Sequence, residues 1–300
     1  LFLCPKRQHS IRNKSRLMKQ VTIIGIGLIG GSFALDLKQH LSGARISGID
    51  QNEAHLSEAL ELGIIDQIGD LNHLENADLV VLAIPVNAAI RVLPEVLDVI
   101  SDQTVVIDMG STKEAICKAV GTHPRRANFL ATHPIAGTEF SGPSAAITGL
   151  FKNKTNIICE LDSTLPALSE VILTLFKTMG MHLRFMPAKD HDKHIAYVSH
   201  LSHISSFMLG KTVIDKEKNE RDIFDMAGSG FESTVRLAKS SPDMWTPIFE
   251  QNKTNVIETL TEYIQNLNQF KAYMEQDDFE AVYNEMKNTN HIKQILKGIA

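Results

Sequence analysis

The stretch that decides the fold is residues 21–50, VTIIGIGLIGGSFALDLKQHLSGARISGID. It opens with the β-branched run Val21–Ile24, passes through the glycine-rich string GIGLIGGS into a helical pattern, and ends with a second β-like run, Arg45–Ile49. Asp50 follows directly after that run. Strand, glycine turn, helix and strand in this order predict a βαβ unit, and with it a parallel sheet.

Each glycine of the turn has a separate purpose. Gly25 permits the tight turn, Gly27 lets the backbone approach a pyrophosphate, and Gly30 allows close packing of the helix. The spacing alone is weak evidence, but Asp50 follows Gly30 by 20 residues, at the end of the next strand. Asp50 can accept hydrogen bonds from ribose hydroxyls and would repel a 2′-phosphate, so NAD is predicted rather than NADP. An incidental Asp after a glycine-rich turn is the alternative. The residues expected to contact the cofactor are Gly25, Gly27, Leu28, Ile29, Gly30, Asp50 and Pro85.

The alternation of β-branched runs and helical patterns continues from Met18 to Met186. The further candidate strands are 64–68, 79–84, 104–107, 128–132, 155–160 and 182–186, with a helix over about 165–178. After Pro187 the β runs disappear and long helical stretches follow. The fold class is therefore predicted as α/β, with a Rossmann-type doubly wound parallel sheet over residues 18–186 and an all-helical domain over 187–300.

Residues 1–17 are set apart by their charge, since they contain five basic residues and no acidic one. An acid-free, Arg-containing leader could be a transit peptide. The strand pattern begins at Val21, immediately after Met18. We therefore interpret residues 1–17 as an N-terminal extension outside the fold, with a transit peptide as the alternative.

Composition limits the class of partner. The 300 residues are 43% hydrophobic and 22% charged, which is ordinary for a globular protein and long enough for two domains. A net charge of -5 gives no reason to expect nucleic acid or an anionic membrane as partner, so a small molecule is favoured. Three widely spaced cysteines fit a reducing compartment such as the cytoplasm. No apolar run approaches the ~20 residues of a membrane span.

Candidate chemical groups gather at one edge of the predicted sheet. Gly25, Asp50, Pro85, Ser111 and His133 each lie just beyond the carboxyl end of a predicted strand. Ligands of doubly wound sheets bind at that edge, so these groups are expected to line one crevice. A neutral imidazole, with an ordinary pKa near ~6.5, can accept a hydroxyl proton there. The alternative for His133 is a histidine that only packs at a strand end.

The neighbouring candidates also have structural alternatives. Ser111-Thr112-Lys113-Glu114 has the pattern of a capping box, in which the serine hydroxyl accepts from a free backbone N–H at a helix start. Thr138 and Glu139 belong to the string HPIAGTEFSG that begins at His133. Glu139 could assist His133 or guard the mouth of the crevice, and an exposed loop carboxylate is the alternative.

The second half of the chain carries a histidine cluster that suggests a metal site. His191, His194, His200 and His203 have spacings at which imidazoles can share a helix face. If 187–213 is one unbroken helix, however, 100° per residue puts His194 opposite His203 and His191 opposite His200. We therefore predict no metal, and expect His200 and His203 to donate to an anionic substrate.

Arg236 follows the glycine-containing turn Gly228-Ser229-Gly230-Phe231. Its guanidinium suits bidentate recognition of a carboxylate. A solvated helix residue is the alternative interpretation.

Several strings, in order along the chain, resemble the prephenate dehydrogenase family of tyrosine biosynthesis. They are GIGLIGGS, DMGSTK (108–113), HPIAGTEFSG, SHLSH (199–203), GSGFESTVRLA (228–238) and SPDMW (241–245). The resemblance implies an N-terminal Rossmann domain and a helical C-terminal domain that forms a homodimer. It also implies NAD-dependent oxidative decarboxylation of prephenate to 4-hydroxyphenylpyruvate.

Residue roles follow from the same resemblance. His133 would accept the ring-hydroxyl proton, and Ser111 would orient both the hydroxyl and the histidine. The remaining matched positions are expected to bind substrate, and they are Thr138, Glu139, His200, His203 and Arg236.

The chain departs from the family pattern at two positions. It has Ser202 where proline is frequent and Ser233 where an aspartate is frequent. These changes leave room for arogenate as substrate, as in a cyclohexadienyl dehydrogenase. A non-catalytic NAD-binding or sensing protein is the alternative from another class, but it would not need His133, Ser111 and Arg236 together.

Overall fold

The structure, a computed structural model, describes residues 18–138, 140–218 and 222–297. These residues form two compact units. The first contains the described residues up to Asp192 together with Lys239–Gln251, and the second contains Lys193–Ala238 and the described residues from Asn252 onward. The first unit thus extends beyond Met186, the predicted end of the first domain, and includes the later segment Lys239–Gln251. The predicted extension over residues 1–17 lies outside the described residues.

The first unit is built on one sheet with helices packed against it. Its strands are β1 Gln20–Ile24, β2 Arg45–Ile49, β3 Gln67–Ile68, β4 Leu79–Leu82, β5 Val105–Asp108, β6 Phe129–Pro134, β7 Thr155–Cys159 and β8 His182–Met186. Its main helices are α1 Leu28–His40, α2 Glu53–Glu61, α3 Val86–Val99, α4 Glu114–Ala119, α5 Pro166–Thr178 and α9 Pro242–Gln251. Across the sheet the strands run in the order β3-β2-β1-β4-β5-β6-β7-β8. This order confirms the predicted Rossmann-type fold, with β1 and β4 side by side at the centre.

Both faces of the sheet are covered by apolar side chains. Neighbouring residues of β4 alternate between two separate core clusters, with Leu79 and Val81 in one and Val80 and Leu82 in the other. Successive side chains of a strand point to opposite faces, so one cluster lies on each side of the sheet. The absence of polar residues in this strand is explained by burial on both faces.

One pairing in the sheet is not parallel. β7 runs antiparallel to β6, and β8 runs parallel to β7. The antiparallel partner extends β6 beyond its predicted end, because His133 pairs with Ile157 and Pro134 pairs with Asn156. The expectation that His133 lies just beyond the strand is therefore wrong: the histidine is part of the last section of β6.

The second unit is helical. It begins at Lys193, within α6 Ala188–Ile195. Its further elements are a π-helical turn, Ala196–His200, and the helices α7 Leu201–Glu217, α8 Ser229–Val235, α10 Lys253–Glu275, α11 Phe279–Thr289 and α12 Ile292–Lys297. The helical stretch predicted over 187–213 is confirmed, but the π-helical turn within it interrupts the regular α-helical period. Because a π turn holds more than 3.6 residues, the angles derived for the histidines do not hold across it. Among the residues that the structure describes, no helix is both long and apolar enough to cross a membrane.

Candidate active site

The glycine turn after β1 has the form that its sequence predicts. Gly25 has φ +95°, and a Cβ added to it would lie 2.4 Å from the carbonyl oxygen of Ala83. A Cβ on Gly30 would lie 1.9 Å from the carbonyl oxygen of Gly25. At Gly27, in contrast, a Cβ would have nothing within 4 Å, so open space lies in front of the first turn of α1. That space beside a helix amino terminus fits the pyrophosphate of a dinucleotide.

Asp50 is fixed at the end of β2 by backbone groups. Its carboxylate accepts hydrogen bonds from the amide of Ile26 at 2.9 Å and from the amide of Asn52 at 2.9 Å. The side chain keeps 16% of its surface exposed. Since a carboxylate offers about four acceptor sites, Asp50 retains capacity for ribose hydroxyls.

His133 takes part in a chain of buried polar groups. Its Nδ1 lies 2.8 Å from Nε2 of His191, and Nδ1 of His191 lies 2.7 Å from Oδ1 of Asp192. The three residues are 7%, 0% and 2% exposed, in that order. Burial lowers the pKa of His191 from its ordinary value, and the hydrogen bond to Asp192 opposes that shift only in part. His191 is therefore a neutral ring between His133 and the carboxylate.

The carboxylate of Asp192 also caps α4. It accepts from the backbone amide of Lys113 at 2.7 Å and from that of Glu114 at 2.9 Å. The capping box, which was the structural alternative for Ser111, is not formed, because α4 begins at Glu114 and Lys113 holds the N-cap position. An ionised carboxylate is a stronger acceptor for backbone N–H groups than a serine hydroxyl. Ser111 lies partly buried in the turn between β5 and α4.

A buried ion pair stabilises the same turn. The ammonium group of Lys113 contacts the carboxylate of Asp108, and both side chains are almost fully buried. Asp108 accepts in addition from the amide of Gly110 at 3.0 Å and from the amide of Thr132 at 3.1 Å. A buried charge pair with further hydrogen bonds leaves few alternative arrangements, so the turn that carries Ser111 is fixed relative to β6.

The loop after β6 carries the remaining candidates of the first unit. The hydroxyl oxygen of Thr138 accepts from the amide of Phe140 at 3.2 Å, which turns the loop locally. Glu139 lies outside the described residues. Pro85 precedes α3, where Trp245 and Ile248 of α9 pack against Val86.

His200 of the second unit is fully buried. Its Nδ1 lies 3.1 Å from the side-chain nitrogen of Asn252, whose oxygen accepts from Asn255 at 2.7 Å. The Asn252 amide therefore donates to Nδ1, and the neutral ring carries its proton on Nε2.

His203 has the opposite tautomer. Its Nδ1–H donates to the carbonyl of Ser199 at 3.0 Å, so Nε2 of the neutral ring is an acceptor. Burial lowers the pKa of His203, and the charge of Arg236 acts in the same direction, whereas the Ser199 contact opposes them. Donation from Nε2 to a carboxylate, as the sequence predicts, thus requires this ring to take up a proton. The Arg236 side chain is exposed on the surface of its own unit.

The structure sorts the predicted residues into two groups. In the first unit, Gly25 follows β1, Asp50 follows β2, Ser111 lies after β5 and His133 lies in the last section of β6. Pro85 and Thr138 belong to this unit as well. His200, His203 and Arg236 belong to the second unit. No group of three or more His, Cys, Asp or Glu side chains within the described parts of the chain is arranged to hold a metal ion.

Sequence reasoning missed the partners of His133. His191 was considered only as a metal ligand, and Asp192 was not considered. Neither residue has a local pattern that points to β6, because His191 lies 58 residues from His133 in the sequence. The buried acidic cap and the neighbouring imidazole become visible only once the chain has folded.

Comparison with known proteins identifies the family. A family model described as prephenate dehydrogenase, nucleotide-binding domain, matches residues 33–185, and one described as prephenate dehydrogenase, dimerization domain, matches residues 187–288. The prephenate dehydrogenase of Bacillus subtilis (strain 168) is 31% identical over 277 residues, covering 91% of this chain and 75% of that protein.

Solved structures agree with this result. The crystal structure of prephenate dehydrogenase from A. aeolicus in complex with hydroxyphenyl propionate and NAD+ is 30% identical, with a TM-score of 0.84, and the match covers 93% of this chain and 98% of that one. The crystal structure of Synechocystis arogenate dehydrogenase is 25% identical, with a TM-score of 0.75, and the match covers 92% of this chain and 99% of that one. The chain therefore belongs to the prephenate dehydrogenase family of oxidoreductases.

Proposed function

We propose that this protein catalyses the NAD-dependent oxidative decarboxylation of prephenate to 4-hydroxyphenylpyruvate in tyrosine biosynthesis. The observation that carries the proposal is the buried His133 in the last section of β6, whose Nδ1 lies 2.8 Å from Nε2 of the likewise buried His191. The A. aeolicus relative, with NAD+ and a hydroxyphenyl acid in its crystal structure, supports both the cofactor and an aromatic ligand.

The glycine turn is the proposed cofactor site. The backbone from Gly25 to Gly30, including Leu28 and Ile29, would hold the pyrophosphate, Asp50 would accept from the ribose hydroxyls, and Pro85 would border the site. When bound, NAD would supply the acceptor for the hydride that leaves the hydroxyl-bearing ring carbon of the substrate.

His133 is the proposed base of the reaction. It accepts the proton of the ring hydroxyl on Nε2, and Ser111 hydrogen-bonds the same hydroxyl and orients it. Loss of the ring carboxyl group as carbon dioxide leaves its electron pair in the ring, which becomes aromatic. The proton on His133 then returns to the phenolate oxygen. The protein thus positions the reacting groups and provides one reversible proton acceptor. Formation of the aromatic ring provides the driving force.

The second unit would recognise the substrate's negative charges. Arg236 is the proposed bidentate partner of one carboxylate, with His203 in its protonated form and His200 as further donors. Thr138 and Glu139 are the proposed contacts from the loop after β6. We further propose a homodimer through the C-terminal helices, in line with the dimerization domain matched there and with a row of exposed apolar residues on α10: Ile264, Leu267, Phe270 and Met274.

The direct test is to follow the absorbance of the reduced nicotinamide with purified protein given prephenate or arogenate, each with NAD or NADP. The proposal expects the highest kcat/KM with prephenate and NAD. Faster turnover of arogenate would favour the second candidate, which the Synechocystis arogenate dehydrogenase and Ser233 both support. Binding of NAD without turnover of either acid would favour a sensing protein.

Asp50→Asn is expected to shift the cofactor preference toward NADP. The change removes the charge that would repel a 2′-phosphate, so the ratio of kcat/KM for NADP to that for NAD should rise about tenfold, which corresponds to ~1.4 kcal/mol. The matched control is Asp70→Asn, because Asp70 also accepts from a backbone amide two residues on and changes the net charge equally. An unchanged ratio with an unchanged Tm would contradict the role given to Asp50.

Arg236→Gln is expected to raise KM for prephenate by about 10- to 100-fold while kcat changes little, because a hydrogen bond to a charged group contributes ~1.5–3 kcal/mol. Arg236→Lys should give an intermediate KM, since lysine keeps the charge but lacks the planar fork. Lys211→Gln is the control, as it removes an exposed charge that pairs with Asp215 on α7. Equal KM values for the glutamine variant and the unmodified protein would contradict the proposal, because Arg236 would then be a solvated surface residue that does not bind the substrate.

A further inference from the structure

We infer that His191 and Asp192 are positioning residues that hold His133 in the tautomer whose Nε2 accepts a proton, and that Asp192 links this base to the turn bearing Ser111. One part of this inference rests on the proposed function, namely that the ring hydroxyl of the substrate donates the proton to His133. The arrangement of protons in the three residues is a property of the protein without substrate.

The first step concerns the proton between Asp192 and His191. An ionised carboxylate can only accept hydrogen bonds, and Oδ1 of Asp192 lies 2.7 Å from Nδ1 of His191. The two oxygens of Asp192 also accept from the amides of Lys113 and Glu114, so the carboxylate acts as an acceptor in these contacts as well. Nδ1 of His191 must therefore carry a hydrogen.

The second step concerns the other nitrogen of His191. The ring is fully buried, and burial keeps its pKa below the ordinary value, so it carries a single proton at neutral pH. That proton is the one on Nδ1, and Nε2 is left with a lone pair. Nε2 lies 2.8 Å from Nδ1 of His133, which must then be the donor of this hydrogen bond. The unprotonated nitrogen of neutral His133 is Nε2.

The opposite arrangement would disable the base. A doubly protonated His191 would donate from Nε2 to Nδ1 of His133 and leave the only hydrogen of His133 on Nε2. Burial of the ring works against that state, and the positive charge of Lys113 acts in the same direction. In the arrangement we infer, a proton taken up by Nε2 creates an imidazolium whose Nδ1–H is already accepted by His191. No second proton transfer is needed, and the charge is stabilised by an oriented acceptor.

Asp192 has a second effect, on the serine side of the site. Its two oxygens accept from consecutive amides at the start of α4, directly after Ser111 and Thr112. One carboxylate thus fixes both the turn that carries the hydroxyl and, through His191, the ring that carries the base. A shift of one group would move the other with it.

The tautomer can be measured directly. Protein labelled with nitrogen-15 in its histidine rings would be compared by proton–nitrogen NMR with His133→Asn, which identifies the His133 signals. We expect hydrogen on Nδ1 and none on Nε2 of His133 in the protein without ligands. Hydrogen on Nε2 instead would overturn the inference, whether or not prephenate is a substrate.

Kinetics of His191 variants supply the second test. His191→Leu removes the acceptor and should lower kcat by about 10- to 100-fold with KM within about threefold, because an acceptor for a charged donor is lost. His191→Gln should recover most of kcat, since its amide oxygen can accept from His133. The control is His194→Leu, an exposed residue of the same helix, whose kcat should not change.

The outcomes separate the two proposals. Unchanged kcat in His191→Leu with His133→Asn inactive would overturn the role of His191 and leave the proposed function standing. A glutamine variant that is folded and as slow as the leucine variant would also overturn it. If His191→Leu does not fold, the tautomer of His133 and the activity of His191→Gln decide.

Discussion

His133→Asn is expected to lower kcat with prephenate by about 10²- to 10⁴-fold, the usual contribution of a positioned general base. The side-chain nitrogen of asparagine can take the place of Nδ1 and continue to donate to His191. No atom of asparagine replaces Nε2, so the hydrogen bond inside the protein is kept while the proton acceptor is removed. Steady-state kinetics would measure kcat, and calorimetric titration would measure the Kd for NAD, which should stay within about twofold because the glycine turn is not altered.

The matched control for this variant is His73→Asn, which changes a strongly exposed histidine of the same unit. Its kcat and Kd should equal those of the unmodified protein. Near-normal kcat in His133→Asn would remove His133 from its proposed role. A parallel loss of NAD binding and of Tm would instead assign His133 to the packing of β6.

The fold could be predicted from the sequence wherever the signal was local. β2 and β8 have the predicted limits, because each is a short run bounded by turn residues, Gly43 and Asp50 for β2 and Gly180 and Pro187 for β8. The direction of β7 was not predictable in this way. Whether a strand pairs parallel or antiparallel depends on the path of the chain, and here the antiparallel partner placed His133 inside β6.

The same limit applies to the site, where the decisive contacts join residues that are far apart in the sequence. A hydroxyl at Ser111 is the nearest cap for α4 by sequence, but the carboxylate of Asp192, 78 residues from Glu114, holds that position. A charged acceptor outcompetes a neutral one once the fold brings it close. The histidine spacing at 191–203 gave no indication that the ring of His191 contacts His133. The conformation of the glycine turn depends on backbone geometry within one short segment, and this conformation was predicted from the sequence.

The glycine turn also gives a pair of substitutions with opposite expected effects. Gly30→Ala should lower the free energy of unfolding of the first unit by about 3 kcal/mol, the upper range for overpacking, because its Cβ would stand 1.9 Å from the carbonyl oxygen of Gly25. Backbone atoms cannot yield as a side chain can. The loss corresponds to a decrease in Tm of about 6–12 °C for a unit of this size, measurable by calorimetry.

Gly27→Ala should leave Tm unchanged, because nothing lies within 4 Å of the added Cβ, and should weaken NAD binding about 10- to 100-fold by filling the space proposed for the pyrophosphate. The two variants carry the same chemical change three residues apart, so each controls for the other. A stable Gly27→Ala protein that binds NAD normally would mean that the dinucleotide does not approach the backbone there. The site would then have to lie away from the amino terminus of α1, and the argument from the glycine spacing would fail with it.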